Sequence, residues 1–289
     1  MLLFDVLRDN PPFLWFATAL LGLTVGSFLN VVILRLPRMM EMAWKRECRE
    51  ILELPAIEEK RLSLVFPSSR CNGCGAPIRA WQNVPVLSWL LLRGQCARCK
   101  TPISIQYPLV EAAAGAVSAV CAWHFGWSVQ LLPALVLSWA LLTLAVIDLR
   151  TQLLPDDITL PLLWLGLGLS MWSVFAGTQD ALIGAMAGYL SLWTVFQLFR
   201  LITGKEGMGY GDFKLFAALG AWLGWQSLPL IILLSSVVGA VVGLGLVLLR
   251  RQGRDIPMAF GPYLAAAGWI ALIWGHEITA AYLDNSGIH

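Results

Sequence analysis

The sequence predicts an all-α polytopic membrane protein with about eight transmembrane helices and one small domain outside the membrane. Hydrophobic residues make up 58% of the 289 residues and charged residues only 13%, whereas soluble proteins carry about 25% charged residues. Long apolar segments alternate with short polar connections. The Lys and Arg residues are concentrated in every second connection, as expected of a chain that crosses a membrane several times.

Eight segments are predicted to span the membrane. A helix that crosses the bilayer needs about 20 predominantly apolar residues. The first segment is expected to remain as a span and not to be cleaved as a signal peptide, because it follows Asp5, Arg8 and Asp9 instead of a basic stretch. The sixth and eighth segments are short. The eight are 13–34, 108–126, 129–147, 158–175, 181–200, 212–226, 228–249 and 259–275.

Pairs of small residues four positions apart occur in the later segments. Such pairs let helix backbones approach closely in lipid, although glycine-rich apolar helices also contain them by chance. The pairs are Gly184/Gly188, Gly220/Gly224 and Gly239/Gly243.

The distribution of positive charge predicts the orientation. Residues 35–107 contain 12 of the 20 Lys and Arg residues, and the connections near Gly126, Gly177 and Gln226 contain none. Positively charged connections stay in the cytoplasm, so we expect both termini outside and residues 35–107 inside. Seven further positive residues lie in the other connections on the inner side: Arg150, Arg200, Lys205, Lys214, Arg250, Arg251 and Arg254.

Three domains are expected: an N-terminal transmembrane helix (1–34), a cytoplasmic domain (35–107) and a C-terminal transmembrane domain (108–289). The cytoplasmic domain starts with a charged stretch, 41–61, which is typical of a helix with a solvated face. A segment rich in Pro, Gly and Cys follows at 67–108. It is too short for a large apolar core, and small domains of this kind usually fold around a metal or a disulfide.

The cysteines of this segment predict a zinc-knuckle domain. Two C-x2-C pairs separated by 21 residues present four thiolates to one Zn²⁺, and Gly73 and Gly75 allow the tight turns that knuckles need. A disulfide is disfavoured in the reducing cytoplasm, and a redox-active pair or incidental thiols are the remaining alternatives. Four Cys ligands leave no open position, so the zinc is expected to be structural. The expected ligands are Cys71, Cys74, Cys96 and Cys99, while Cys48 and Cys121 have no evident partner and are expected to be inert.

Two aspartates, Asp148 and Asp212, stand at the ends of long apolar segments on the predicted cytoplasmic side. An ionisable side chain at membrane depth is by default a candidate functional residue. Two carboxyl groups in one site do not both ionise readily, so one can act as general base on a water while the other protonates the substrate. On position alone, a second interpretation is equally open: Asp212 caps a helix N-terminus and Asp148 is solvated at the interface.

Other acidic residues compete for this role. Asp156 and Asp157 follow Pro155, where helix capping is the ordinary explanation. Glu111 lies inside the second apolar segment and is harder to dismiss, since it could pair with an Arg of the cytoplasmic domain or contact a cationic substrate. The three histidines, at 124, 276 and 289, are all predicted on the outer side. This argues against an H-E-x-x-H metalloprotease and a Ser-His protease, and leaves aspartyl chemistry as the hydrolytic option.

Several motifs occur along the chain in the order typical of one enzyme family, the prepilin peptidases, or type IV leader peptidases, of pilus and type II secretion systems. The resemblance covers nearly the whole length. The matching segments are 26–37 (the N-terminal signature), the cysteine pairs with 85–89 and 93–94 (the cytoplasmic domain), Asp148 with 154–156 (the first catalytic region), Gly209-Tyr-Gly-Asp212 (the family's G-x-G-D site) and 260–263 (the motif before the last span).

The resemblance implies a bifunctional enzyme of the bacterial inner membrane with its active site facing the cytoplasm. Members cut the basic leader from prepilins and pseudopilins, and Asp148 and Asp212 would be the catalytic pair. The cysteine domain accompanies members that also methylate the new N-terminus with S-adenosylmethionine. No glycine-rich nucleotide motif locates the residues that bind this methyl donor. The expected partners are these protein substrates and membrane lipid, without nucleic acid.

Two other functions fit parts of the sequence. A G-x-G-D intramembrane protease of the presenilin type would place the aspartates deeper and would give the cysteine domain no role. A transporter or membrane scaffold would use the acidic residues as proton relays or cation ligands, but it would usually show hydropathy repeats between its halves. No such repeat is evident.

Overall fold

The computed structural model describes residues 2–55, 62–205, 207–250 and 259–286. Within these ranges it contains ten α-helices and two short 3-10 helices, and its β-structure consists of two isolated bridges. The all-α fold class is therefore confirmed. The helices are α1 (Leu2–Asp9), α2 (Pro11–Ile51), α3 (Leu87–Leu91), α4 (Gln106–Phe125), α5 (Leu131–Thr151), α6 (Asp156–Ser170), α7 (Thr178–Thr203), α8 (Tyr210–Leu223), α9 (Leu228–Arg250) and α10 (Gly261–Ser286).

Some residues used in the predictions lie outside the described ranges. These are residues 56–61 of the charged stretch, Arg251 and Arg254 of the predicted inner connections, and His289.

Six helices are long and apolar enough to cross a membrane: α2, α4, α5, α7, α9 with the turn before it, and α10. The multi-pass membrane character is thereby confirmed. The other two predicted segments are also helical, but α6 and α8 have 15 and 14 residues. At 1.5 Å per residue they are about 21–23 Å long, shorter than a hydrocarbon core of about 30 Å. The count of eight spans stays a prediction.

The first long helix, α2, extends well beyond the predicted span 13–34. It has 41 residues and is therefore about 62 Å long. It begins after Asn10, whose side-chain oxygen accepts a hydrogen bond from the backbone N–H of Phe13 at 3.3 Å, and Pro11 occupies the first position. The prediction ended the span where the apolar residues end. The Arg, Met, Glu and Lys residues that follow are good helix formers, so the helix continues to Ile51 and confirms the helical prediction for the charged stretch up to that residue.

By contacts the chain divides into two units, 1–131 and 132–289. In the first unit α4 packs along α2, whereas the predicted domains placed residues 108–126 with the C-terminal part. The contact between the two helices runs through small residues. A Cβ added to Gly26 would lie 2.7 Å from Cα of Glu111 and 2.9 Å from Cβ of Ala114. The two backbones therefore meet closely beside Glu111. The functional boundaries proposed at 34/35 and 107/108 stay predictions.

The second unit is built around α8. Ten of its 14 residues are buried, so this short helix is the core against which α6, α7 and α10 pack. The indole N–H of Trp222 donates to the carbonyl oxygen of Leu162 in α6 at 2.8 Å. Gly184 of α7 and Gly220 of α8 contact each other directly, since an added Cβ on either would meet the backbone of the other. The prediction of close helix packing is confirmed at these two glycines.

The other predicted pairs behave differently. Gly188 of α7 also lies against the α8 backbone, 2.7 Å from the carbonyl oxygen of Phe216 to an added Cβ. Gly224 ends α8 with φ +80°, a backbone conformation that glycine adopts without steric cost. Gly239 makes only an ordinary contact, 3.4 Å from an added Cβ to the ring of Tyr263.

Candidate functional site

Asp148 lies near the end of α5 and is only 5% exposed. Its Oδ2 accepts a hydrogen bond at 3.0 Å from the backbone N–H of Gly261, the first residue of α10. A helix N-terminus with free N–H groups favours a negative charge at this position. The interpretation that Asp148 is a solvated interface residue is wrong, because its side chain is buried inside the unit.

Asp212 lies in the first turn of α8 and is 6% exposed. The N-cap of α8 is Gly209, and Asp212 follows it by three residues with its carboxyl group beside the Gly209 backbone, so the capping interpretation stays an alternative. Its Oδ1 is buried and has no hydrogen-bond partner among the described residues. A buried acceptor without a partner costs about 1–3 kcal/mol. Such costs are tolerated most often at functional sites.

The two carboxyl groups belong to one site. Leu154, in the connection after α5, lies between Gly211, which directly precedes Asp212, and Gly261, whose N–H donates to Asp148. An added Cβ on Gly211 would be 2.6 Å from Cβ of Leu154, and one on Gly261 would be 3.2 Å from Cδ1 of the same side chain. The segment after Asp148 thus contacts the starts of both α8 and α10.

No side chain fits at Gly211 or Gly261, the two glycines of this site. Besides its approach to Leu154, an added Cβ on Gly261 would lie 2.6 Å from Oδ2 of Asp148. That distance is shorter than any ordinary contact of a methyl group, so a side chain here would displace the carboxylate. Gly261 belongs to the motif 260–263 that resembles the family, but its contact with Asp148 was not predicted. That motif was the available signal.

The neighbouring acidic candidates are placed differently. Asp156 is the first residue of α6, and both of its carboxylate oxygens accept hydrogen bonds from Lys214 Nζ, at 2.7 and 2.6 Å. Asp157 is exposed. Asp156 therefore links α6 to α8 at the start of both helices. Glu111 lies in the other unit, where it is 7% exposed and its Oε2 accepts a hydrogen bond from the backbone N–H of Val86 at 2.7 Å.

The four predicted cysteines form one cluster. Each sits in a short turn: the N–H of Cys71 donates to the carbonyl of Ala76 at 2.9 Å, and the N–H of Cys96 donates to that of Thr101 at 2.9 Å. The backbone N–H groups two residues on donate to the sulfur atoms of these two cysteines, each at 3.4 Å. Position 75 of the first turn is a glycine at φ +67°, and position 100 of the second is a lysine at φ +61°. Both turns therefore adopt the same backbone form.

This cluster fits a tetrahedral metal ion. The four Sγ atoms lie within 4.8 Å of one another, and those of Cys71 and Cys99 are 3.6 Å apart. Four sulfurs at 2.3 Å from a central Zn²⁺ would be about 3.8 Å apart. The hydroxyl of Thr101, 3.1 Å from the sulfur of Cys99, and the backbone N–H of Thr101 lower the pKa of Cys99 to about 6, whereas hydrogen bonds to the neighbouring sulfurs and burial raise the pKa of Cys74 to about 11. The thiolate is the form that binds metals. Cys48 is exposed and Cys121 is buried, and neither belongs to the cluster.

Comparisons with known proteins match the same two units. Residues 20–125 match the family described as Bacterial Peptidase A24 N-terminal domain, and residues 135–244 match the Type IV leader peptidase family. The chain is 56% identical to a prepilin leader peptidase/N-methyltransferase of Stutzerimonas stutzeri, with 97% of each chain covered. Proteins of the same name from Pseudomonas putida and Pseudomonas aeruginosa are 54% and 55% identical, with 99% of this chain and 100% and 99% of theirs covered. No solved structure matches the chain.

Proposed function

Because the chain belongs to the type IV leader peptidase family, we propose that it cleaves the leader peptide from type IV prepilins and pseudopilins and methylates the new N-terminus. The site in the second unit supports the first reaction. Two buried carboxyl groups from different helices lie there around one side chain, because Leu154 packs against Gly211, next to Asp212, and against Gly261, whose N–H donates to Asp148. This arrangement of Asp148 and Asp212 is the observation that carries the proposal.

The proposed cleavage uses the two aspartates in different protonation states. Asp148 is the general base, because the N–H of Gly261 stabilises its negative charge. It removes a proton from a water, whose oxygen attacks the scissile carbonyl carbon. Asp212 is the general acid and donates its proton to the carbonyl oxygen. In the second step Asp148 gives its proton to the leaving nitrogen, the C–N bond breaks, and one hydroxyl of the tetrahedral intermediate returns a proton to Asp212 as the new carboxyl group forms.

The proposed setting is the cytoplasmic face of the bacterial inner membrane, with eight membrane spans and the active site facing the cytoplasm. A prepilin has a basic leader before an apolar helix, so its cleavage point lies where the predicted cytoplasmic ends of α5 and α8 lie. The transporter and scaffold alternative is not supported, because the chain is more than half identical to peptidase/methyltransferases along its length. Family membership likewise disfavours a presenilin-type protease.

We propose that the four cysteines hold one structural zinc ion, which shapes residues 70–102 and leaves no coordination position for a substrate. S-adenosylmethionine supplies the methyl group of the second reaction.

A cleavage assay on a purified prepilin tests the proposal with wild type, Asp148→Asn and Asp212→Asn. Both substitutions keep the size of the side chain and remove its acid–base function, so we expect cleavage to fall by at least about 100-fold in each. Asp157→Asn is the matched control, since it removes an exposed carboxylate at the start of α6 and should cleave normally.

Mass spectrometry of the product tests the second reaction. With S-adenosylmethionine present, the wild-type product should be one methyl group heavier than the cleaved chain. Cleavage that survives in Asp148→Asn or Asp212→Asn would remove that aspartate from the mechanism and direct attention to Glu111, Asp156 and Asp157. A cleaved product without the methyl group would leave a peptidase alone.

A further inference from the structure

Glu111 is a buried carboxylate that the cleavage mechanism does not use. It is 7% exposed on α4, at the face that packs against α2. It accepts a hydrogen bond from the backbone N–H of Val86 at 2.7 Å, and the Ser27 side chain lies beside it. None of the Lys and Arg residues in the described ranges pairs with it, although a buried carboxylate normally has a cationic partner.

A second buried polar group lies on the same helix pair. Asn30 is 1% exposed, and its Nδ2 donates to the carbonyl oxygens of Gly26 at 3.3 Å and Tyr107 at 3.1 Å. These two carbonyls fix the orientation of the amide, because the reverse orientation would place its oxygen against theirs. The Oδ1 atom is buried and has no partner among the described residues. Asn30 therefore offers an unused acceptor.

The helix register brings these groups together. Residues three or four apart lie on one face of a helix. Ser27 and Asn30 are three apart on α2, and Tyr107 and Glu111 are four apart on α4. The Ser27 side chain lies beside Glu111, and Asn30 Nδ2 donates to the carbonyl oxygen of Tyr107. The two helices thus present a carboxylate, a hydroxyl and an amide oxygen within one helical turn.

Three acceptors without a cation match an ammonium group, which has three N–H donors and a positive charge. The proposed substrate provides this group. After cleavage, its new N-terminus is an α-ammonium at the start of an apolar helix, near the membrane surface. Glu111 is five residues from the start of α4, about 7.5 Å along the helix axis. An ammonium group at the end of a membrane helix reaches that depth more readily than a cation dissolved in water does.

We propose that Glu111, Ser27 and Asn30 bind the α-ammonium group of the cleaved substrate, and that the Glu111 carboxylate accepts the proton which this group loses before methylation. This inference rests on the methyltransferase part of the proposed function. Loss of the proton leaves a lone pair on nitrogen. That lone pair attacks the methyl carbon of S-adenosylmethionine, the N–C bond forms and the C–S bond breaks. The bonding electrons stay on sulfur as a neutral thioether, and the proton on Glu111 passes to water.

Val86 holds the carboxylate in place for this step. It has φ +59°, which is strongly unfavourable for a β-branched residue and costs about 1–3 kcal/mol. Its N–H is the donor to Glu111, so the strained backbone points this donor at the carboxylate. Val86 lies between the two cysteine turns in sequence. The folded cysteine segment therefore has a defined role in orienting Glu111.

The test separates methylation from cleavage. The substrates are intact prepilin and pilin already cut to a free N-terminus, each with S-adenosylmethionine. Glu111→Gln should cleave prepilin at the wild-type rate and methylate the pre-cut pilin at least about 100-fold more slowly, as expected for loss of a general base. Asn30→Ala should lower methylation about tenfold through a higher KM. Glu47→Gln, an exposed carboxylate on α2, is the matched control and should leave both reactions unchanged.

A binding comparison detects the ammonium group directly. Wild type should bind pre-cut pilin at least about tenfold more tightly than the same pilin acetylated at its N-terminus, because acetylation removes the charge. In Glu111→Gln this difference should disappear, which a merely structural role would not cause. The proposal fails if Glu111→Gln methylates within about threefold of wild type, or if it retains the preference for the free N-terminus.

Two further outcomes are decisive. If Glu111→Gln loses cleavage as well, Ser27→Ala and Asn30→Ala decide: the proposal stands if these lose methylation with cleavage intact, and falls if neither does. If wild type cleaves but does not methylate, the methyltransferase part of the proposed function fails. In that case the comparison of free and acetylated pilin still shows whether Glu111 binds the ammonium group.

Discussion

Lys214 Nζ lies 2.7 and 2.6 Å from the two carboxylate oxygens of Asp156, so one ion pair joins the first turns of α6 and α8. Asp212 precedes Lys214 by two residues on α8. Asp148 is joined to α6 only by the short connection 152–155. The ion pair therefore fixes the spacing between α8, which carries Asp212, and α6, which follows Asp148 along the chain. Its side chains are 28% and 52% exposed.

Breaking this ion pair should affect cleavage more than stability. An exposed pair contributes about 0.2–1 kcal/mol to stability, whereas a small displacement of a catalytic group lowers the rate strongly. We expect Asp156→Asn and Lys214→Met each to lower kcat for cleavage about three- to tenfold with unchanged thermal stability. The double variant should be no slower than the slower single variant. Independent effects that multiply in the double variant would contradict this prediction.

Gly261→Ala should abolish cleavage. The added Cβ would lie 2.6 Å from Oδ2 of Asp148, so the carboxylate must move. A displacement of about 1 Å costs about 100-fold in rate, and we expect a loss of at least this size in a prepilin cleavage assay. Gly211→Ala should act in the same direction, because its Cβ would lie 2.6 Å from Cβ of Leu154. Methylation of pre-cut pilin should be unaffected in both.

Gly168→Ala is the control for these two substitutions. Gly168 lies in α6 of the same unit, and an added Cβ there would meet no atom within 4 Å. Alanine is the better helix former by about 1 kcal/mol, so this variant should cleave normally and be slightly more stable. Normal cleavage by Gly261→Ala would show that the position of Asp148 relative to α10 does not matter for the reaction.

Removing one cysteine ligand should release the metal. Cys96→Ser leaves three thiolates, and we expect elemental analysis to find one zinc per chain in wild type and none in this variant. Because metal binding supplies the folding free energy of small zinc domains, the segment 70–102 should become sensitive to proteases. Methylation should fall with it, since Val86 would no longer orient Glu111. Cys48→Ser, outside the cluster, should keep the zinc, and a metal-free wild type would refute the zinc assignment.

The sequence predicted most of what depends on composition and short motifs. Eight apolar segments identified eight helices, and the spacing of Cys71, Cys74, Cys96 and Cys99 identified a cluster that the structure brings within 4.8 Å. Hydropathy cannot show where a helix ends once its residues become polar but remain good helix formers. For this reason the length of α2 was missed.

Features that depend on contacts between distant segments were not predictable from one sequence. The role of Gly261 follows from its hydrogen bond to Asp148, 113 residues earlier. The unpaired acceptor of Asn30 becomes visible only when α4 lies against α2. Asp156 was a candidate for chemistry because it is acidic and near Asp148, and only the position of Lys214 shows that it links two helices. Tertiary contacts, which local patterns do not encode, decide all three.

Gly184→Ala and Gly220→Ala should each destabilise the second unit by pushing α7 away from α8. An added Cβ on Gly184 would lie 2.8 Å from the carbonyl carbon of Gly220 and 2.9 Å from the backbone nitrogen of Trp225. Backbone atoms cannot rotate aside as a side chain can, so the helices must separate. We expect a loss of at least about 1–3 kcal/mol, measured by unfolding in mixed detergent micelles. Gly245→Ala, with open space around it, should unfold as wild type does. Since both substitutions separate the same pair of helices, the double variant should lose less than the sum of the two, and additive losses would mean that the two glycines do not share one contact.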